Sequence, residues 1–305
     1  MKFLLCAVLV PVLGMAALRV WASRRIRARE THNGPELATE GSFVRVGPVN
    51  THFIRKGKGE PLILIHGIFA SAFVWRKNLD ALGRCFDTIA LDLKGYGYSD
   101  KPEDGNYTQE AMRDFVAGFM DAIGVKRAVL VGHSWGGGIA MDLALRYPER
   151  VEKLVLINST GYRPERSWLE WLLKVPGGGL LLLSLLDERT MGKVLRERVF
   201  FDPAGVTDEE IAGWVKPYRV KGAARAAMAL RNVDFVMEDR IRHVRQPVLI
   251  LWGENDRTFP VEMARRFARD LPRATLHVIP RCGHNPQEEK PEEVNRRITE
   301  FVLSS

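Results

Sequence analysis

The segment GHSWG, residues 132–136, places a serine in a G-x-S-x-G pattern. Residues 128–132 before it predict a strand, and residues 135–146 after it predict a helix. So tight a turn needs glycines beside the serine, because side chains there would collide with neighbouring backbone. The turn raises the serine hydroxyl above the sheet edge, next to the N-terminal amides of the helix, which favour negative charge. The pattern predicts that Ser134 is a nucleophile; the alternative is an idle serine in a glycine-rich turn.

A serine hydroxyl is a weak nucleophile unless a neighbouring base takes its proton. Among the seven histidines, His284 lies in a loop after the last predicted strand, where parallel sheets place their sites. His133 is expected to point into the sheet. Asp256 follows the strand-like VLILW and is the predicted partner that orients His284, with Glu254 as the competitor. These residues predict acyl transfer through a Ser134–His284–Asp256 triad.

The turn HGIF, residues 66–69, closes the strand-like run PLILI at 61–65. We expect the backbone N–H groups of Ile68 and Trp135 to stabilise the oxyanion of a tetrahedral intermediate. One such donor is worth about 3–4 kcal/mol in the transition state. An ordinary tight turn is compatible with this role because the donors belong to the main chain.

These residues need a scaffold, and strand-like and helix-like segments alternate over 43–159 and again over 245–305. The alternation predicts an α/β fold with a mostly parallel central sheet flanked by helices. Residues 160–244 break the rhythm with helical pieces and no clear strand, so we predict an inserted helical cap. Residues 30–42 form a polar linker.

The predicted cap is rich in leucine and tryptophan, in WLEWLL at 168–173 and LLLLSLL at 180–186. Burial of the cap against the core explains this composition. The alternative is an acyl-chain tunnel or a lid, with the glycines at 177–179 as a hinge.

The net charge of +8 is concentrated at the N-terminus, since Lys2 and five arginines between Arg19 and Arg29 precede the first acidic residue. The later charges are mixed in sign, which argues against a nucleic-acid partner. The three cysteines are widely spaced and form no C-x-x-C pair. We therefore predict no metal, no cofactor and no nucleic acid.

The N-terminal residues 3–18 carry no charge, and a basic cluster follows them. We predict a membrane anchor over residues 1–29, which makes the membrane surface a partner and leaves the catalytic domain on the cytoplasmic side. A cleaved signal peptide, giving a secreted or periplasmic protein, is one alternative. A helix docked on the protein's own surface is the other.

Five motifs in order, HGIFAS, DLKGYGYSD, GHSWGG, GENDRTFP and GHNPQEEKPEEV, resemble the α/β-hydrolase superfamily over residues 43–303. The branch includes epoxide hydrolases, haloalkane dehalogenases, carbon–carbon bond hydrolases and small esterases or lipases. The resemblance implies that Ser134, Asp256 and His284 occupy the triad positions. It also implies that Ile68 and Trp135 line the oxyanion hole.

One departure from the branch narrows the chemistry, because its epoxide hydrolases and dehalogenases carry an aspartate where this chain has Ser134. A serine forms an acyl-enzyme at a carbonyl carbon. We predict hydrolysis of lipophilic carboxylic esters such as monoacylglycerols. A carbon–carbon bond hydrolase of ring-cleavage products is the alternative; it needs a cation for the substrate's carboxylate, and Arg163, Arg166 and Arg231 are candidates. A non-catalytic binding protein on a hydrolase fold is a third hypothesis.

Overall fold

One twisted sheet organises the chain in the computed structural model, which describes residues 2–163, 178–229 and 236–304, and only the backbone of residues 2–14. The strands described are β1 (Ser42–Val46), β2 (Val49–Lys56), β3 (Pro61–Ile65), β4 (Asp87–Leu91), β5 (Ala128–His133), β6 (Val151–Ile157), β7 (Val248–Gly253) and β8 (Ala274–Ile279). Their order is β1-β2-β4-β3-β5-β6-β7-β8. Strand β2 pairs antiparallel with both neighbours, and the other pairs are parallel.

Helices cover both faces of the sheet. Those described are α1 (Lys2–Arg29), α2 (Gly34–Leu37), α3 (Leu79–Leu82), α4 (Gln109–Ala122), α5 (Trp135–Arg146), α6 (Gly178–Ser184), α7 (Glu188–Val194), α8 (Asp208–Val215), α9 (Ala223–Ala229), α10 (Glu238–Ile241), α11 (Val261–Asp270), α12 (Pro286–Glu289) and α13 (Pro291–Leu303). The predicted α/β fold class is confirmed.

The sheet lies between two apolar layers, which explains why its central strands are continuous hydrophobic runs. Every residue of β5 and β7 is buried. Met112 of α4 and Ile139 of α5 belong to the layer on one face. Ile298 of α13 and Trp75 belong to the layer on the other. The site residues therefore rest on a rigid support.

Residues 71–82 suit a single helix by sequence, but the structure forms two short pieces there, a 3₁₀ turn at Ala72–Trp75 and then α3. The N–H of Asn78 donates to Trp75 O at 2.8 Å. This bond joins residues three apart, as in a 3₁₀ turn, rather than four apart, as in an α-helix. The Asn78 amide donates to Asn295 Oδ1 of α13 at 2.8 Å. A contact distant in sequence thus accompanies the break.

Between β6 and β7 the chain inserts residues 160–244, called here the β6–β7 insertion. In the portions that the structure describes, it contains α6 to α10, a π-helical turn at Leu195–Val199 and short 3₁₀ turns, and no strand of the sheet. The segment 168–173 lies outside the described residues. Gly178 and Gly179, two of the suggested hinge glycines, are part of α6.

The predicted membrane location is wrong. Among the described residues, no helix has the length and apolar character needed to cross a bilayer. The C-terminal part of α1 packs on the protein instead, with Ala22 and Ile26 buried. Arg29 donates to Leu183 O at 2.9 Å and to Leu186 O at 2.7 Å, both in the β6–β7 insertion. This matches the alternative of a helix docked on the protein's own surface.

A buried ion pair fixes the loop after β4. The Asp92 carboxylate accepts His52 Nδ1–H at 2.7 Å and the backbone N–H groups of Ala72 at 2.6 Å and Tyr98 at 2.8 Å. His52 Nε2 faces Glu40 O at 2.9 Å, so both ring nitrogens face acceptors, a geometry that favours the protonated ring. Burial opposes the charge on His52, but the hydrogen bond and charge of Asp92 raise its pKa above 6.5.

This pair gives a pH-dependent contribution to stability. Because the folded pKa of His52 lies above its ordinary value of 6.5, the contribution is complete below pH 6.5 and is lost as pH rises through the folded pKa. We expect His52→Gln to lower the free energy of unfolding by about 3 kcal/mol at pH 6 and by less at pH 9. Urea unfolding at both pH values measures this, with the exposed His243→Gln as control. Equal losses at both pH values would contradict the assignment.

Candidate active site

Ser134 sits at a sharp turn between β5 and α5. Its φ of 52° and ψ of −120° lie in a region that residues other than glycine rarely adopt. A methyl group built on Gly132 would lie 2.4 Å from Gly136 O, and one on Gly136 would lie 2.2 Å from Ile65 O. The flanking positions therefore require glycine, as the sequence pattern predicts. The N–H of Ser134 donates to Ile157 O at 2.9 Å, which ties the turn to β6.

The turn of residues 66–69 lies directly against Ser134. A methyl group built on Gly67 would lie 2.8 Å from Ser134 Cβ, so only glycine allows this approach. Ile68 is the next residue and is partly buried. Trp135 begins α5 and is fully buried. Of the two residues expected to supply oxyanion donors, Ile68 is thus next in sequence to the Gly67–Ser134 contact, and Trp135 directly follows the serine.

His66 secures this turn rather than taking part in a triad. Its Nδ1–H donates to Gly67 O at 2.7 Å, and its Nε2 accepts the N–H of Leu93 at 3.1 Å. Burial lowers the pKa of His66 below its ordinary value, so the ring is neutral with a fixed tautomer. The ring connects the end of β3 to the end of β4.

The structure brings His284 and Asp256 together at the carboxyl edge of the sheet. His284 Nδ1 lies 2.8 Å from Asp256 Oδ2, which also accepts Asn158 Nδ2–H at 2.6 Å. Asp256 Oδ1 accepts the N–H groups of Thr258 at 2.7 Å and Phe259 at 3.1 Å. The carboxylate requires a proton on Nδ1, so Nε2 is left as the basic nitrogen of His284.

Asp256 is held as a carboxylate despite its burial. Burial alone would raise its pKa, but the charge and hydrogen bond of His284, with hydrogen bonds from Asn158 and the Phe259 N–H, bring the pKa below the ordinary 3.8. The Phe259 ring also packs against His284 in a T-shaped arrangement, with ring centroids 5.3 Å apart. The Asp256 carboxylate and the Phe259 ring therefore both hold the imidazole of His284 in place.

Glu254, the competing acid in the sequence, is exposed. Its backbone N–H donates to Ile279 O at 2.9 Å, which places it in the β7–β8 connection. The structure pairs His284 with Asp256 rather than with Glu254.

His133 differs from its expected orientation into the sheet. Its Nε2–H donates to His284 O at 2.9 Å, and the two ring centroids lie 4.9 Å apart. Burial, followed by the nearby His284, lowers the pKa of His133 to about 3. His133, the residue before Ser134, is thus neutral, and its hydrogen bond to His284 O holds the His284 loop near the serine.

Sequence reasoning missed Asn158, which directly follows β6. The residue has a φ of 43°, a conformation that asparagine tolerates better than most residues. Its Oδ1 accepts the N–H of Gly253 at 3.2 Å, while its Nδ2 donates to Asp256. An amide at the carboxyl end of the strand beside the serine strand is the signal that could have found it.

An apolar cavity that opens to solvent lies beside the 66–69 turn, and its described lining includes Phe69 but neither Ser134 nor His284. Phe69 and Phe73 line it from the core side, and Trp214 and Tyr218 line it from the β6–β7 insertion. Lys101 also lines it, but its amine donates to three backbone carbonyls, those of Tyr96, Gly97 and Ser99. That cation is committed to the loop after β4.

The candidate site holds no set of metal ligands within the described ranges, where no three histidine, cysteine, aspartate or glutamate side chains cluster suitably. Cys282, two residues before His284, is buried, and burial raises the pKa of its thiol.

The family model for the alpha/beta hydrolase fold matches residues 60–291, so the chain belongs to this family and is a hydrolase. A curated relative, the 2-hydroxymuconate semialdehyde hydrolase of Pseudomonas putida, is 30% identical over 285 residues, 90% of this chain and 98% of its own.

Two solved structures are also similar. One is the meta-cleavage product hydrolase CumD of Pseudomonas fluorescens IP01, with 29% identity, a TM-score of 0.76 and coverage of 86% of this chain and 97% of its own. The other is a membrane phospholipase A described as a bacterial virulence factor, with 27% identity, a TM-score of 0.73 and coverage of 99% and 98%.

Proposed function

We propose that the chain is a serine hydrolase in which Ser134 attacks a carbonyl carbon, His284 is the general base and Asp256 orients it. The observation that carries this is the 2.8 Å contact between His284 Nδ1 and Asp256 Oδ2, on a loop tied to the residue beside Ser134. The N–H groups of Ile68 and Trp135 are the proposed oxyanion donors.

In the first half of this reaction, Ser134 Oγ forms a bond to the carbonyl carbon while its proton passes to His284 Nε2. The carbonyl oxygen becomes an oxyanion held by backbone N–H groups. The intermediate collapses, the leaving group departs with the bonding electron pair, and it takes the proton from His284. Water then repeats the sequence on the acyl-enzyme, which releases a carboxylic acid and restores Ser134.

Carbon–carbon bond hydrolysis of ring-cleavage products is the first candidate for the substrate class. Its support is the similarity to the P. putida semialdehyde hydrolase and to CumD, each over more than four fifths of this chain. In this reaction the dienol first takes a proton at the carbon next to the carbonyl and becomes the keto form, so that this carbon can leave with its bonding electron pair as an enolate, which then takes the proton from His284. The serine mechanism is otherwise unchanged.

Hydrolysis of lipophilic carboxylic esters is the second candidate, and the cavity favours it. Lys101 is the one cation among the described lining residues, and backbone carbonyls occupy its amine. A substrate carboxylate that reached this cavity would therefore meet no free cation among its described lining residues. Arg166 and Arg231 lie outside the described residues, and Arg163 is exposed. The similarity to the phospholipase supports the same candidate.

We also propose that residues 160–244 form a cap over a core of residues 43–159 and 245–305, reached from the N-terminal helix through a linker at 30–42. The support is that Trp214 and Tyr218 of the insertion line the same cavity as Phe69 and Phe73 of the core.

Substrate preference separates the two candidates. If the first is right, kcat/KM for a 2-hydroxy-6-oxohexa-2,4-dienoate should exceed that for p-nitrophenyl octanoate by about ten-fold or more. Loss of dienoate absorbance and release of p-nitrophenol measure the two reactions, with Ser134→Ala as background. The reverse order would favour the ester candidate, and turnover of neither with no covalent labelling of Ser134 would contradict both.

A further inference from the structure

One guanidinium joins the N-terminal helix to two separate parts of the β6–β7 insertion. Arg29 Nη1 donates to Leu183 O at 2.9 Å and to Leu186 O at 2.7 Å, at the end of α6. Arg29 Nε donates to Tyr218 O at 3.2 Å. The Arg29 side chain is only 15% exposed, so solvent competes weakly for these bonds.

The next residue holds a third part of the insertion. The Glu30 carboxylate accepts the N–H of Gly222 at 2.9 Å and that of Ala224 at 2.7 Å, at the start of α9. A negative charge there suits amides that have no acceptor inside the helix. Just upstream, Ile26 packs against Leu183, Ala224 and other small apolar side chains. Residues 26–30 therefore fasten α6, α9 and the turn between α8 and α9.

The fastened elements form one wall of the apolar cavity. Tyr218, Ala223 and Ala227 line it. Tyr218 is bonded by Arg29, Ala223 lies between the two residues bonded by Glu30, and Ala227 lies about one turn further along α9. The Tyr218 hydroxyl donates to Phe69 O at 3.0 Å. Phe69 has a φ of 60° and follows Ile68, a proposed oxyanion donor. A continuous path thus runs from the N-terminal helix to the turn beside Ser134.

We propose that Arg29 and Glu30 are positioning residues that set the shape of this cavity wall, and that they select for substrates whose acyl or leaving group is long enough to occupy it. The inference rests on the proposed serine hydrolase. Charged groups make the stronger hydrogen bonds of proteins, and loss of Glu30 leaves two amides of the wall without their acceptor. For a substrate whose acyl or leaving group is too short to enter the cavity, the reaction rate should not depend on the shape of this wall.

The test uses alkyl fluorophosphonates of two lengths on the full chain, because they label a catalytic serine whatever its natural substrate. In Glu30→Ala we expect the labelling rate with a decyl probe to fall about ten-fold, while the rate with an ethyl probe changes by less than about two-fold. Glu30→Gln keeps one acceptor oxygen and should recover part of the decyl rate. Arg27→Ala, an exposed position on the same helix, is the control and should change neither rate.

Hydrogen exchange at the Gly222 and Ala224 amides provides a second readout that does not need activity. Both amides should exchange faster in Glu30→Ala. Equal losses with both probes indicate a general loss of folded protein and overturn the proposal, as does unchanged decyl labelling despite faster exchange. If neither probe labels the wild-type chain while exchange responds as expected, the proposed hydrolase fails and the positioning role fails with it.

Discussion

Replacing Ser134 with alanine is expected to lower turnover by about 10⁶-fold and to abolish covalent labelling by a fluorophosphonate. Alanine keeps the Cβ atom that packs against Gly67 but removes the only atom that can bond to the carbonyl carbon. The residual rate would come from the oxyanion donors and from substrate binding. Intact-protein mass spectrometry of the labelled chain, with steady-state kinetics on the preferred substrate, measures both effects.

Ser159 is a matched control for this substitution. It is fully buried near the same turn, and its hydroxyl donates to Thr160 O at 2.8 Å. Ser159→Ala removes one hydrogen bond and should leave labelling intact. Labelling that persists in Ser134→Ala, or that disappears only in Ser159→Ala, would contradict the assignment of the nucleophile.

Replacing Asp256 with asparagine is expected to lower kcat by about 10⁴-fold. Both carboxylate oxygens accept hydrogen bonds, Oδ1 from Thr258 and Phe259 and Oδ2 from His284 and Asn158. An amide nitrogen at the Oδ2 position would donate to His284 Nδ1 and move the imidazole proton to Nε2. The nitrogen that should receive the serine proton would then already carry one.

The opposite orientation of the new amide is no better, because its nitrogen would face the two backbone N–H groups that now bond to Oδ1. Glu254→Gln is the control, since that exposed side chain is the other acid of the same loop and should keep nearly full activity. Circular dichroism and thermal unfolding of both variants separate catalysis from folding. A large loss in Glu254→Gln with little loss in Asp256→Asn would reverse the assignment.

Elements whose signals are local could be predicted from the sequence. The helix at 135–146 and the strand at 61–65 have the predicted bounds, because apolar periodicity and flanking glycines or prolines define them. Ser134 belongs to this group, since its motif and its structural context are contiguous. The predicted partners Asp256 and His284 follow from the rule that site residues gather at the carboxyl ends of parallel strands.

Features that depend on distant contacts could not be predicted in the same way. The break in the helix at 71–82 involves Asn78 and its contact with Asn295. The support of Asp256 by Asn158 requires that β6 and β7 be neighbours, which alternation alone does not establish. The docking of α1 depends on carbonyls more than 150 residues away, so an apolar helix followed by arginines gave the wrong prediction of a membrane anchor.

The long separation between Arg29 and its acceptors also matters while the chain is being made. Arg29 and Tyr218 are 189 residues apart in the sequence, and Glu30 and Gly222 are 192 residues apart. At ribosomal rates of about 5–20 residues per second, the N-terminal helix emerges some 10–40 s before its binding surface exists. During that interval the apolar faces of Ala22 and Ile26 are uncovered and open to chaperones or to other nascent chains. Codons between the two segments that slow translation would lengthen this exposure without changing a single residue of the finished protein.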